Sequence, residues 1–260
     1  MSEVPNAGAS AIAGASADPA AGAGAGGGGA PKKKTVVIAL PGREYSGNFL
    51  VAWTRAITGL YQQNYQVIVL NRFSSFVSFS RMQTLGLSVL RGAHQEPFDG
   101  KLQYDVWVTI DSDVIFTTEQ LIELIENTDT HPVVSGLYMM ADMQHFPCIA
   151  EWDEVYFSQH GSFKFLTPKD IEDYKATTQQ KFMPVVYNGM GFFACRRGVI
   201  EKMHYPYFWA ELQEIRTPEG MLLRDMCSED VAFCKGLYKA GFTVFVNTDI
   251  RVGHEKMLVI

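Results

Sequence analysis

Apolar residues recur along this chain in two rhythms, short β-branched runs and longer stretches with an apolar position every three or four residues. These are the periods of buried strands and of amphipathic helices. Residues 35–40 form the first run, closed by Pro41-Gly42, and a helical pattern follows from about Asn48 to Tyr61. Residues 66–70 predict a second strand, 79–90 a helix, and 104–110 a third strand that ends at Asp111-Ser112-Asp113. Thr117 or Thr118 is placed to cap a helix carrying Leu121, Ile122, Leu124 and Ile125, and residues 132–137 repeat the strand. From 142 to 183 the period fades, and Trp152, Tyr156, Phe157, Phe163, Phe165 and Tyr174 lie among polar residues, as in a lid or a less regular layer. Residues 185–197 read as a glycine-relieved turn entering a buried strand, with a helix starting near Gly198. Ser228 is placed to cap a helix that puts Val231, Cys234 and Tyr238 on one face and stops at Gly241, and residues 242–246 predict a late strand. Strands alternating with helices in this way predict an α/β fold with a mainly parallel sheet, whose ligands gather beyond the carboxyl ends of the strands.

Composition adds limits. A chain of 260 residues with 47% hydrophobic content can bury a substantial core. Its beginning is different: residues 7–30 are nearly all Ala, Gly and Ser, which predicts a flexible tail over 1–30 and a folded domain over 31–260. With 28 acidic against 22 basic residues, the net charge of −6 argues against a nucleic-acid partner. No run of about 18 apolar residues and no basic-then-apolar leader is present, so the expectation is a soluble, cytoplasmic chain without a transmembrane anchor. Cys148, Cys195, Cys227 and Cys234 form no CxxC pair and read as reduced, mostly buried thiols.

Several positions carry candidate chemistry. In an extended strand Asp111 and Asp113 project to the same side, where two carboxylates could hold Mn²⁺ or Mg²⁺ and leave positions for a diphosphate; the plainer alternative is that they end a strand and cap the next turn. Gly42 permits close backbone approach, and Arg43 could meet a phosphate or stack on a base, or simply lie on the surface. Gly189 and Gly191 leave room for a substrate or for a tight strand crossing. Glu229 and Asp230 sit in the first turn of a helix, where acids suit the dipole by about 0.3–1 kcal/mol and where one could also serve as a general base. His254 could give an imidazole nitrogen to a cation held by Asp113.

In this order, Pro41-Gly42-Arg43, Asp111-Ser112-Asp113, Asn188-Gly189-Met190-Gly191-Phe192 with Arg196-Arg197, Ser228-Glu229-Asp230 and Gly253-His254 resemble a glycosyltransferase of the GT-A fold, across residues 35–256. The resemblance implies a Rossmann-like, mainly parallel sheet flanked by helices, with a smaller mixed sheet on the acceptor side. It implies a nucleotide-sugar donor, a UDP-sugar foremost, bordered by Pro41, Gly42, Arg43, Arg81, Asp111 and Ser112. It also implies Mn²⁺ or Mg²⁺ at Asp111, Asp113 and His254, and a glycan or glycoconjugate acceptor lined by Asn188, Gly189, Gly191 and Trp152. Asp230 would be the base, with Glu229 positioning the acceptor and inversion as the outcome, although retention by a similar pair stays open. No stem or lectin module is visible, and the compact form is similar to the enzymes of large algal viruses or bacteria. Two alternatives remain. Ile110-Asp111-Ser112-Asp113-Val114 also resembles the nucleophile strand of haloacid-dehalogenase phosphatases, and a non-catalytic nucleotide-sugar-binding module would keep the same residues.

Overall fold

Parallel pairing begins with β1 (Thr35–Pro41) and β2 (Gln66–Arg72), which lie side by side across the intervening helix α1 (Gly47–Gln62). The structure, a computed structural model, describes residues 33–256, so the expected tail over 1–30 lies outside the described residues. Next come α2 (Val77–Thr84), β3 (Val106–Ile110), β4 (Val114–Ile115), α3 (Thr118–Asn127), β5 (Val133–Leu137) and β6 (Cys148–Ile149). After α4 (Glu154–His160) and α5 (Pro168–Thr178) follow β7 (Phe182–Val185), β8 (Tyr187–Asn188), β9 (Phe192–Arg196), β10 (Glu211–Arg216) and β11 (Leu222–Cys227). Helix α6 (Glu229–Lys239), β12 (Val244–Arg251) and β13 (Gly253–His254) complete the described chain.

Seven strands form one sheet in the order β2-β1-β3-β9-β5-β12-β7, in which β9 and β7 run antiparallel to their neighbours. This is the mainly parallel α/β sheet that the strand–helix alternation predicts. Its central strands are buried on both faces: Val36 and Ile38 enter one core with Phe49, Leu60 and Leu121, while Val37 and Ala39 enter the other with Trp107, Phe193 and Phe233. Two-sided burial explains why these strands read as unbroken apolar runs. Smaller sheets accompany the large one as expected, in the form of three two-stranded antiparallel ladders, β10-β11, β13-β4 and β6-β8. All four cysteines are buried and unpaired. No described helix is long and apolar enough to cross a membrane.

Element ends follow local chemistry. Ser46 caps α1 by accepting from Phe49 N at 3.0 Å, and Thr117 with Gln120 forms a capping box on α3. Ser228 does occupy the N-cap of α6, yet its hydroxyl makes no cap bond. The helix expected over 79–90 is shorter and earlier, because Gly86 takes φ +60° and turns the chain against Phe98. A single 3₁₀ turn, Ile200–Lys202, replaces the helix expected after Gly198, with Pro206 soon after. Residues 142–183 are more regular than their periodicity suggests, since Asp153 caps α4 and Thr167-Pro168 opens α5 with a capping box to Asp170.

Candidate active site

Register brings the site together. Pairing of Ile110 with Phe192 sets Asp111 beside Gly191, whose carbonyl accepts from Asp111 N at 2.9 Å. The short β13-β4 ladder pairs His254 with Val114, and Glu255 N donates to the Asp113 carbonyl at 2.7 Å. On the neighbouring strand Asn71 Nδ2 donates to the carbonyls of Leu40 (2.9 Å) and Gly42 (2.8 Å), and a Cβ on Gly42 would lie 2.9 Å from Ser112 Cβ. Pro41-Gly42 and Asp111-Ser112-Asp113 thus abut at the carboxyl ends of β1 and β3. Arg43 is exposed, its guanidinium 5.7 Å from the Phe73 ring centre.

Asp111 and Asp113 do not converge. Strand β3 ends at Ile110, and Val114 N returns to Asp111 O at 3.2 Å, so the acids lie in a turn where the two-residue strand period no longer applies. Asp111 faces Arg81, whose Nη2 stands 3.0 Å from Oδ1 and 3.1 Å from Oδ2. Arg81, only 3% exposed, also donates to Thr109 Oγ1 at 3.2 Å and to Glu229 Oε1 at 3.1 Å. Arg81 therefore clamps the end of β3 to the start of α6, and Glu229 contributes its Oε1 to that clamp. Burial pushes the Arg81 pKa down, but the combined field of Asp111, Glu229 and Asp230 outweighs it and keeps the group firmly charged. Glu229 is raised, by burial first, with Arg81 opposing the rise.

Asp113 meets His254 instead. His254 Nε2 is 3.2 Å from Asp113 Oδ2, and Nδ1 is 2.6 Å from the Met139 carbonyl. A carbonyl only accepts, so Nδ1 carries a hydrogen, and Nε2 aims either a proton or a lone pair at the carboxylate. The Asp113 hydrogen bond, opposed by burial, raises His254. Burial likewise pushes Asp113 up, but His254 and Lys256 outweigh it and hold the carboxyl at about 2. Lys256 Nζ shares Oδ2 at 2.7 Å. A divalent ion in place of the Nε2 proton would have an imidazole and a carboxylate already directed at it, so this pair fits a hard cation; Asp111, turned to Arg81, is not a third ligand. Among the described residues, no group of three or more His, Cys, Asp or Glu side chains is arranged to hold a metal. Such ions commonly take one or two protein carboxylates and fill the remaining positions with water and substrate phosphate.

Asp230 stands half-buried at the start of α6. Tyr187 Oη donates to its Oδ2 at 2.8 Å, while Ser228 Oγ and Val231 N (2.8 Å) donate to Oδ1. Beside Tyr187 lies the half-buried Trp152, 6.4 Å between ring centres. The remaining residues expected on the acceptor side are interior. Asn188 is fully buried, its amide nitrogen bonded to Ser135 and to the carbonyls of Gly136 and Gly189. The space left open by the glycines is filled by Tyr138, whose hydroxyl would be 2.3 Å from a Cβ on Gly189 and whose ring would be 2.8 Å from one on Gly191. Tyr138 in turn accepts from Gly191 N at 3.1 Å and packs edge-on to His254 at 4.9 Å. Gly191→Ala is therefore expected to lower stability by about 1–3 kcal/mol through overpacking. A urea midpoint unchanged from the parent protein would contradict that tight crossing.

Tyr138, Tyr187, Lys256 and the Met139 carbonyl are the contributors that residue-by-residue reading missed. Tyr138 and Met139 do follow the carboxyl end of β5, where the fold class directs attention.

No family model matches the chain, and no curated protein matches its sequence. Among solved structures the chain aligns with the crystal structure of A197 from STIV at TM-score 0.46 and 15% identity, covering 87% of this chain and 96% of that one. It also aligns with the crystal structure of GalNAc-T7 with UDP, GalNAc and Mn²⁺ at TM-score 0.48 and 13% identity, over 86% of this chain but only 44% of that one.

Proposed function

We propose that this chain is a GT-A-type glycosyltransferase that moves a sugar from a nucleoside-diphosphate donor, a UDP-sugar foremost, to a hydroxyl of a glycan or glycoconjugate. The observation that carries the reading is the pairing of Asp113 with a histidine whose Nδ1 hydrogen is held by Met139, in a chain that also carries a second carboxylate, Asp230, with one lone-pair site open to a proton. Asp113 and His254 would hold Mn²⁺ or Mg²⁺, which when bound neutralises charge developing on the departing diphosphate. Pro41, Gly42 and Ser112 form the wall against which the nucleotide lies, with Arg43 at its rim. Asp111, fixed by Arg81, presents an anionic edge suited to ribose hydroxyls.

The transfer step uses Asp230. The acceptor oxygen bonds to the anomeric carbon as that carbon's bond to the phosphate oxygen breaks; the acceptor proton passes to Asp230, and the bonding electron pair leaves with the nucleoside diphosphate. A carboxylate offers about four lone-pair sites. Three donors occupy Asp230, which leaves one on Oδ2 to receive the proton. Attack from the side opposite the leaving group inverts the anomeric centre.

Lys256 bears on metal loading, because its ammonium and a divalent ion compete for Asp113 Oδ2. Lys256→Gln is expected to tighten Mn²⁺ binding by about threefold to tenfold, as removal of one nearby like charge at a half-exposed site allows. Titration calorimetry checks this; weaker Mn²⁺ binding in the variant would place Lys256 among the groups that support loading.

The phosphatase alternative needs Asp111 as a free nucleophile, whereas Arg81 engages both of its oxygens. Products separate the two readings. With Mn²⁺, a nucleotide-sugar panel and a mixture of glycan acceptors, the full chain is expected to yield nucleoside diphosphate and a glycoside of inverted configuration, both visible by NMR. Release of inorganic phosphate from phosphomonoesters, with no nucleoside diphosphate, would reject the transferase.

A further inference from the structure

From Tyr45 to Gln95 the chain carries no aspartate or glutamate, although 28 acids in 260 residues would place roughly five in a run of that length. The run does carry Arg55, Arg72, Arg81, Arg91 and His94. Arg81 is buried among carboxylates and Arg91 pairs with Asp99, whereas Arg55 and Arg72 meet no carboxylate among the described residues. The same run holds ten of the nineteen large hydrophobic side chains that stand exposed among the described residues. One stretch thus joins a lack of acids to a surplus of exposed apolar surface.

A dense part of that surface lies at the carboxyl ends of β1 and β2. Gly42 N donates to the Arg72 carbonyl at 3.0 Å, and the loop beyond turns back as Ser74 N donates to Ser80 Oγ at 2.8 Å. Helix α2 buries Ser80, Arg81 and Thr84, which leaves Phe76, Val77 and Phe79 outside. Phe76 and Phe79, 67% and 57% exposed, lie three residues apart and meet edge-on with ring centres 5.9 Å apart. Phe73, also exposed, lies against the Arg43 guanidinium. Strand β2 is the edge of the large sheet, so no described strand covers this side. Past Gly86, Val89 and Leu90 are exposed on the 3₁₀ turn Val89–Arg91. Apolar residues scattered singly are normal on a protein surface; phenylalanines gathered in this way mark an interaction site.

Charge selects the partner. Glu44 and Glu96 bound the acid-free run, and Asp99 is shared between Arg91 and Lys101. Arg43 and Arg72 stand beside the rings with no ion pair among the described residues. The occupant must therefore be apolar and anionic at once. An anionic bilayer presents both in layers, phosphate headgroups above acyl chains, and demands no matching shape. Single-stranded nucleic acid would offer phosphates to the arginines and bases to the phenylalanines, but Val77, Val89 and Leu90 have no π-face on which a base stacks.

We propose that this corner of the fold docks on an anionic lipid surface, with Phe73, Phe76 and Phe79 entering the boundary between headgroups and acyl chains and Arg43 and Arg72 beside the lipid phosphates. The chain would lie on the surface and not span it, which needs no membrane-crossing helix. The docking does not depend on the transferase reading.

The test is sedimentation of the full chain with vesicles of phosphatidylcholine alone and of phosphatidylcholine mixed equally with phosphatidylglycerol. Phe76→Ser combined with Phe79→Ser removes two exposed rings, and Arg72→Gln separately removes one cation. All three positions are exposed, so thermal midpoints close to the parent's are expected and verify the fold. Binding at least tenfold stronger to the anionic vesicles, reduced at least tenfold in the double variant and about fivefold in Arg72→Gln, supports the docking; one basic residue near an anionic surface carries about that share. Equal affinity for the two vesicles, undiminished binding in either folded variant, or no vesicle binding at all would overturn it. In the last case, self-association or binding of a single-stranded RNA oligonucleotide that the double variant abolishes would assign the face to that partner instead.

Discussion

Asp230→Asn is expected to lower the turnover of sugar transfer by about 10²–10⁴-fold, the usual share of a general base, with donor binding unchanged. The substitution keeps shape but removes the lone pair that receives the acceptor proton. With the amide oxygen in the place of Oδ1, Ser228 and Val231 can still donate to it, and the Tyr187 hydroxyl can turn to accept from the amide nitrogen in the place of Oδ2, so the start of α6 keeps much of its bonding. Glu229, not Asp230, makes the direct ion pair with Arg81, so the clamp between β3 and α6 stays closed. The kinetic pattern is therefore specific: kcat falls and the donor KM holds. Equal turnover in the variant would show that Asp230 serves only the helix dipole, the role a non-catalytic binding module would assign to it.

Asp113→Ala should remove the Mn²⁺-dependent part of donor binding altogether, leaving affinity for nucleotide-sugar at the level found in EDTA. Asp113 is the carboxylate half of the candidate cation pair, and its removal leaves His254 beside the positive charge of Lys256. One imidazole facing an ammonium is a poor site for a hard cation, which prefers anionic oxygen. The loss would not be an indirect effect of unfolding. Asp113 is more than one-third exposed, and pairs of that kind contribute at most about 1 kcal/mol to stability. Calorimetric titration of UDP into wild type and variant, with and without Mn²⁺, reads the effect. Retained metal-dependent affinity in the variant would show that the cation is held elsewhere.

The sheet was largely legible because strands buried on both faces announce themselves as unbroken apolar runs, as residues 35–40 and 106–110 do. Composition hid less than local turn chemistry did. The helix that ends at Thr84 was read too long because Leu85, Leu87 and Leu90 extend an apolar pattern past Gly86, whose positive φ ends it. Helices α4 and α5 were missed although Asp153, Gly161 and Thr167-Pro168 carry ordinary start and stop signals, which the scattered aromatics obscured.

Site residues divided along a similar line. Asp113 and His254, far apart in sequence, meet because a two-residue ladder joins β13 to β4, a pairing too short to leave a periodic trace. Glycines 189 and 191 allow either a ligand or a tight crossing in the sequence, and the neighbour that fills their space is Tyr138. A glycine shows only that something approaches closely, and sequence does not say what. Arg81 is a donor contact only by the resemblance; in the structure Glu229, Thr109 and Asp111 hold it in the interior.

The most direct measurement is thermal unfolding of the full chain with a panel of nucleotide-sugars, each with Mn²⁺ and with EDTA, since a ligand that binds the native state raises its midpoint. The account predicts that at least one nucleoside-diphosphate sugar raises the midpoint with Mn²⁺ and that EDTA abolishes the rise. No shift from any donor at saturating concentration, or the same shift in EDTA, would contradict it.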